Sequence, residues 1–186
     1  DLVATLYGDD SNVGYEYNNN GAYAGQWGHF SAASAQCAYC HLDDHSFEPQ
    51  ITSSCTGCHS EATAGDVSTI RKDRGTDYDG DANTTEPLAH EVDTFGSRLY
   101  DAIVQSSIDD GDDRIVYDPS SYPYWFEDND GDGVADIDMD DDKIRFGDWT
   151  PALLKATFNY QFYQKEPGAW AHNNLLHPAA PLRRHR

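Results

Sequence analysis

Apolar and polar positions alternate with a regular period in only a few stretches of this chain. From His90 to Ile108, Val92, Phe95, Leu99 and Ile103 recur at helical intervals and predict an amphipathic helix with one apolar stripe. A second helix is predicted to open at Thr150, an N-cap residue, with Pro151 at the first helical position. Leu153, Ala156, Tyr160 and Tyr163 form its stripe, and Pro167-Gly168 stops it. Between the helices, "RIVYD" and "YPYWFED" flank a Pro-Ser-Ser turn and predict a hairpin. Residues 1–28 show no period and carry "YEYNNNGAYAGQWG", which reads as an extended or looping arm.

Composition explains the shortage of pattern. The chain has 186 residues, room for one domain or two small ones. Its mean hydropathy is -0.73, yet 12% of residues are aromatic. A chain with many flat rings and few aliphatic side chains buries a large core poorly on its own. The 33 acidic and 12 basic residues give a net charge of -21. That charge argues against nucleic acid and anionic membrane as partners, which would repel it. It suits a basic partner, divalent cations or export. No apolar stretch is long enough to span a bilayer. The start at Asp1 rather than Met suggests a processed chain.

All four cysteines fall in two copies of one motif, C-x-x-C-H: Cys37, Cys40 and His41, then Cys55, Cys58 and His59. This is the attachment pattern of haem c. Two intervening residues let one tight turn present both sulfurs to one ring edge. The adjoining histidine, His41 or His59, then meets the iron from the near side. Zinc through four thiolates and a pair of disulfides are the competing readings. Neither gives a reason for a histidine directly after each cysteine pair. Two haems would also supply the apolar mass that the chain lacks, with its aromatics packed on porphyrin faces.

Each iron then needs a ligand on its far face or an open site for chemistry. Met139 is the single methionine and lies in an acidic stretch, so histidine is the expected ligand. Six histidines remain beyond the proximal pair: His29, His45, His90, His172, His177 and His185. His29 precedes Cys37 by eight residues and His45 precedes Cys55 by ten, an internal echo that suits bis-histidine iron. Four residues from His41 to His45 span at most roughly 14 Å, so His45 more naturally serves the second haem or one in another chain. His90, at a predicted helix start, also reads as a surface or capping residue. The arm 1–28 either lies along another subunit or wraps its own haem.

Two acidic stretches read as calcium loops. In D-N-D-G-D-G-V-A-D, Asp128, Asp130, Asp132 and Asp136 occupy positions 1, 3, 5 and 9 of an EF-hand-like loop, with Gly133 at the sharp turn and the Val134 carbonyl as a further ligand. Position 12 is Met139 instead of glutamate, with Asp138 or Asp140 near enough to complete the shell. In D-Y-D-G-D-A-N-T-T-E, Asp77, Asp79 and Asp81 alternate similarly, but Ala82 stands where the turn glycine belongs. A solvated acidic turn is the alternative there.

The segments "SAQCAYCH", "DHSF", "CTGCH", "DYDGD", "EVDTF" and "PALLKATFNYQFYQKEPGAWAHN" resemble the C-terminal portion of bacterial and archaeal multihaem cytochromes c, over most of residues 29–173. The resemblance implies that His29, His45 and His172 are distal-ligand candidates and that Asp77, Asp79 and Asp81 match the family's acidic loop. The chain departs from the pattern in having two haem motifs, no upstream haem-rich part and no helix continuing after His172-Asn173. Some extracellular multihaem cytochromes are similarly acidic and aromatic-rich, and polymerise into filaments in which one subunit's histidine meets its neighbour's haem.

The expected fold is therefore mostly irregular and haem-organised, with a few α-helices and little β structure. One dihaem domain would span 1–186: an arm (1–28), a haem-attachment core (29–60), a helix with acidic loops (77–142), and a closing helix with a basic tail (149–186). The expected function is electron transfer outside the cytoplasmic membrane, periplasmic or extracellular. The cofactors would be two haem c groups and Ca2+. Partners would be redox proteins, extracellular electron acceptors or further copies in a conductive filament. A soluble dihaem shuttle, a haem peroxidase or reductase, and a zinc-stapled calcium module are the alternatives.

Overall fold

The computed structural model describes residues 40–41, 48–62, 66–71, 75, 77–109 and 113–172. Cys37, His29, His45, His177, His185, the arm 1–28 and the basic residues after 172 lie outside the described residues. The elements run α1 (Ser53–Thr56), a 3-10 turn (Val67–Thr69), α2 (Leu88–Asp109), β1 (Ile115–Tyr117), β2 (Trp125–Glu127), α3 (Pro151–Lys165) and α4 (Ala169–His172). They fall into two compact units divided within α2, between Phe95 and Gly96, with 167–172 joined to the earlier residues.

The unit from 96 to 166 is built on the predicted hairpin. β1 and β2 pair antiparallel, with Ile115 opposite Glu127, Val116 opposite Phe126 and Tyr117 opposite Trp125. Successive strand residues face opposite sides. Ile115 and Trp125 enter one apolar cluster with Ile103, Phe146, Leu153 and Ala156. Val116 and Phe126 enter a second with Ala135. Ile103 and Ile115 are essentially removed from solvent, each worth about 1.5–3 kcal/mol of transfer free energy. Aromatic rings take the place of missing aliphatics. Tyr160 lies 5.2 Å from Tyr100, 5.3 Å from Tyr117 and 5.7 Å from Trp125, centroid to centroid.

The helices keep the predicted signals. Thr150 Oγ1 accepts the Leu153 N–H at 3.1 Å, and Pro151 stands in the first turn of α3. α2 begins at Leu88, two residues ahead of His90. Of its predicted stripe Ile103 is fully buried and Leu99 packs partly buried against the same cluster; Val92 and Phe95, in the other unit, are half-buried. Gly96 allows close approach of the helices: a Cβ there would fall closer than 3.0 Å to the Tyr163 ring.

In the other unit Arg71 and Glu91 are paired in the interior, 4% and 0% exposed. Arg71 also donates to the Glu86 carbonyl at 2.7 Å. Among the described residues, no helix is long and apolar enough to cross a membrane.

Candidate cofactor-attachment and cation sites

The second cysteine motif forms a single turn. Thr52 stands extended ahead of α1, and its carbonyl accepts from Cys55 N at 3.0 Å and Thr56 N at 3.3 Å. The Cys55 carbonyl then accepts from Cys58 N at 3.1 Å and His59 N at 2.8 Å. This ladder winds Cys55 and Cys58 three residues apart on one turn and puts His59 one step beyond. Cys55 is half-buried and Cys58 exposed; neither is in a disulfide. Thr52 Oγ1 lies 3.4 Å from Cys55 Sγ.

His59 is mostly buried, with its Nδ1 3.6 Å from Glu61 Oε1. Glu61 Oε1 in turn accepts the Arg71 N–H at 3.1 Å. At 3.6 Å the carboxylate stands beyond hydrogen-bond length, so its influence on the imidazole is electrostatic. Two free thiols on one turn, one half-buried and one exposed, with an imidazole directly after them, are the donor types that a covalently held haem takes.

The described part of the first motif is Cys40 and His41. The Cys40 carbonyl accepts from Gln50 N at 2.9 Å, and His41 bridges antiparallel to Pro49. That backbone pairing ties the end of the first motif to the segment leading into the second. Of the distal candidates, His90 is exposed in the first turn of α2. His172 lies in α4, and its side chain is outside the description.

The two acidic stretches fold alike. In the 128 loop, Gly133 N donates to Asp128 Oδ2 at 3.3 Å, Asp132 N to Asp130 Oδ1 at 3.1 Å, and Val134 N to Asp132 Oδ1 at 2.8 Å. In the 77 loop, Ala82 N donates to Asp77 Oδ2 at 2.8 Å, Asp81 N to Asp79 Oδ1 at 3.0 Å, and Asn83 N to Asp81 Oδ1 at 2.7 Å. Positive φ recurs at equivalent places, Gly131 and Gly133 in one and Gly80 and Ala82 in the other. Ala82, at φ +72°, thus adopts the backbone expected of the glycine it replaces, at the cost that a Cβ carries there.

Three oxygen groups have ligand atoms within 4.8 Å of one another: Asp128 with Asp130 and Asp132, Asp79 with Asp81 and Glu86, and Asp77 with Asp79 and Glu91. Asp136 is not in the first group; its Oδ2 accepts the Asn129 N–H at 2.9 Å. Val134 is exposed with its N–H turned onto Asp132. Glu86 and Glu91 escaped the sequence reading. Glu86 is visible in hindsight as an acid at the tenth position of its loop; Glu91 gives no signal until the chain is folded.

Glu91 is committed elsewhere, with one oxygen on Arg71 and the other accepting Tyr78 N at 2.6 Å and Asp79 N at 2.8 Å. Glu86 Oε1 is buried without a hydrogen-bond partner. Burial, then the charges of Asp81 and Asp79, push its carboxyl above the usual range. The Ala82 N–H holds the Asp77 carboxyl below it, against some opposing desolvation. Among the described residues no cysteine or histidine enters such a group.

Compared with known proteins, the chain matches no family model, no curated sequence and no solved structure.

Proposed function

We propose that this chain is an exported electron carrier holding two covalent haem c groups. The observation that carries the reading is the Cys55–His59 turn: two accessible thiols on one turn, followed at once by a histidine whose Nδ1 faces a carboxylate. The sequence repeats that motif at Cys37, Cys40 and His41. When bound, each haem supplies a one-electron ferric–ferrous couple.

The chain's own residues do the rest. The four cysteines would hold the two haems covalently, and His41 and His59 would ligate the iron. Glu61, itself held by the Arg71 N–H, sets a carboxylate 3.6 Å from His59 Nδ1. Two further histidines would complete the iron ligation, from His29, His45 and His172, which the family resemblance implies, with His90 a fourth candidate. Closing both faces excludes substrate, which makes a carrier rather than an enzyme. Attachment points only fourteen residues apart, between Cys40 and Cys55, keep the two groups near one another. Asp128, Asp130 and Asp132, and separately Asp77, Asp79, Asp81 and Glu86, offer oxygen to Ca2+. Partners are redox proteins, extracellular electron acceptors and further copies of the chain in a filament, with one copy's histidine available to its neighbour.

The test is expression with haem-c maturation machinery and analysis of the purified chain. Expected are two haems retained after denaturation, a low-spin spectrum in both oxidation states, and one haem in the C55A/C58A variant. Absence of covalently retained haem overturns the reading. A high-spin ferric spectrum moves it to a peroxidase or reductase.

A further inference from the structure

The geometry points to a docking surface on the 137–143 turn that takes the basic segment Leu182–Arg186 of a second copy of this chain. The inference rests on the self-association proposed above and names the contact that makes it.

The surface is a short hairpin hanging from β2. Glu127 N donates to the Ile144 carbonyl, Ile144 N to the Asp136 carbonyl and Asp136 N to the Glu127 carbonyl, at 2.9, 2.8 and 2.8 Å. Ile137 bridges Lys143, and Asp138 Oδ1 caps the tip by accepting from Asp140 N at 2.9 Å and Asp142 N at 3.0 Å. The tip is held by its own backbone, yet its apolar side chains are in water: Ile137 is 58% and Met139 102% exposed, with Val134 at 62% nearby in the chain. Beside it opens a groove of about 750 Å³ whose lining includes Tyr122, Phe126, Asp138, Asp141 and Asp142. Exposed apolar groups rimmed by charge mark interaction surfaces.

Charge complementarity selects the occupant. From Glu127 to Asp142 there are nine carboxylates and no basic residue. Lys143, which also lines the groove, is paired with Asp118; Arg145 is the other lining cation. Residues 173–186 contain three arginines and no acid, and Leu182 precedes Arg183-Arg184. A leucine beside paired guanidinium groups matches exposed Ile137 and Met139 beside carboxylates. Copies of net charge -21 repel as wholes, so their association needs a local contact of opposite sign. A basic segment on an acidic tip joins two different patches, so each copy carries one of each and the contact propagates from copy to copy unless a ring or a reciprocal exchange closes it.

The experiment is sedimentation of the full chain in low and high salt, for the wild type, R183E/R184E and D140K/D142K. The second variant spares Asp138, which holds the turn, and Asp141, whose φ is +62°. Wild type is expected to self-associate and to dissociate with salt. Each variant alone should associate about tenfold more weakly or less. An equimolar mixture should recover association, since the reversed segment of one now faces the reversed tip of the other. A wild type that stays monomeric, variants that associate like wild type, or a mixture without recovery overturns the proposal. The haem spectrum of each sample is read alongside. An unchanged low-spin spectrum with lost association is failure of the contact, and an absent spectrum is failure of the electron-carrier reading.

Discussion

Arg71 and Glu91 form an ion pair in the interior, 4% and 0% exposed, and Glu91 also receives the backbone N–H groups of Tyr78 and Asp79. One carboxylate therefore neutralises a buried guanidinium and anchors the start of the 77 loop. Desolvating such a pair offsets much of its attraction, but removing one partner leaves an uncompensated charge. Glu91→Ala should cost about 3–5 kcal/mol, read as a lower denaturation midpoint in urea. Replacing both, as R71M/E91L, should recover only part of that loss, because the Tyr78 and Asp79 N–H groups and the Glu86 carbonyl still lose their side-chain partners. If the single variant melts like wild type, the pair is not closed in solution.

Gly96 meets Tyr163 so closely that a Cβ would overlap its ring. In an open helix interior, glycine to alanine stabilises by about 1 kcal/mol. Here overlap with the ring outweighs that gain, and Gly96→Ala should destabilise by about 1–3 kcal/mol. The double variant G96A/Y163A should show positive coupling, since truncating the ring relieves the overlap. A Gly96→Ala protein more stable than wild type would mean that the helices stand further apart.

Much of the regular structure was legible because its signals are local. Thr150-Pro151 names a helix start by its own chemistry, and the Pro-Ser-Ser turn between β-prone runs names a hairpin. The C-x-x-C-H motif implies a single turn from spacing alone, and Cys55–His59 forms one. What could not be read depends on contacts distant in the chain. Arg71 and Glu91 lie twenty residues apart, and nothing near either announces the other. Phe146 falls in no predicted element, yet it fills the same cluster as Ile103. The Ala82 mismatch weakened the 77 loop as a sequence motif, while the backbone tolerates the alanine in a left-handed conformation. Asp136 receives the Asn129 N–H across seven residues, a contact that spacing does not encode.

Calcium should raise the melting temperature and a chelator should lower it. Asp128, Asp130 and Asp132 converge; Arg114 Nε meets Asp128 Oδ2 at 3.2 Å from outside the loop, and a bound cation would relieve the repulsion that this one guanidinium leaves. A ligand at a hundred times its Kd adds about 2.7 kcal/mol to stability. The D130N/D132N variant keeps side-chain oxygens for the Asp132 and Val134 N–H groups while removing two charges. It should melt at or above the calcium-free wild type and gain less from calcium. Coincident melts of wild type with calcium and with chelator would rule out this cation at both loops.

Asp118 and Lys143 join the loop after β1 to the end of the acidic hairpin. The Lys143 ammonium, then the Ser120 hydroxyl and N–H, hold the Asp118 carboxyl down to about 2. Its folded pKa is thus below the unfolded value near 4. The unfolded chain binds the proton more readily, so the pair's stabilisation is fully present above pH 4 and is lost as pH falls towards 2. The pair is partly exposed, 34% at Lys143 and 22% at Asp118, so solvent screening limits it to about 1 kcal/mol. Lys143→Gln should therefore destabilise by about that amount at pH 6–7, and the gap from wild type should close between pH 4 and pH 2. Chemical denaturation across that range measures it. A gap that persists unchanged at pH 2 would show that Lys143 acts through packing on Phe126, whose ring centroid lies 5.6 Å from its ammonium, and not through the charge on Asp118.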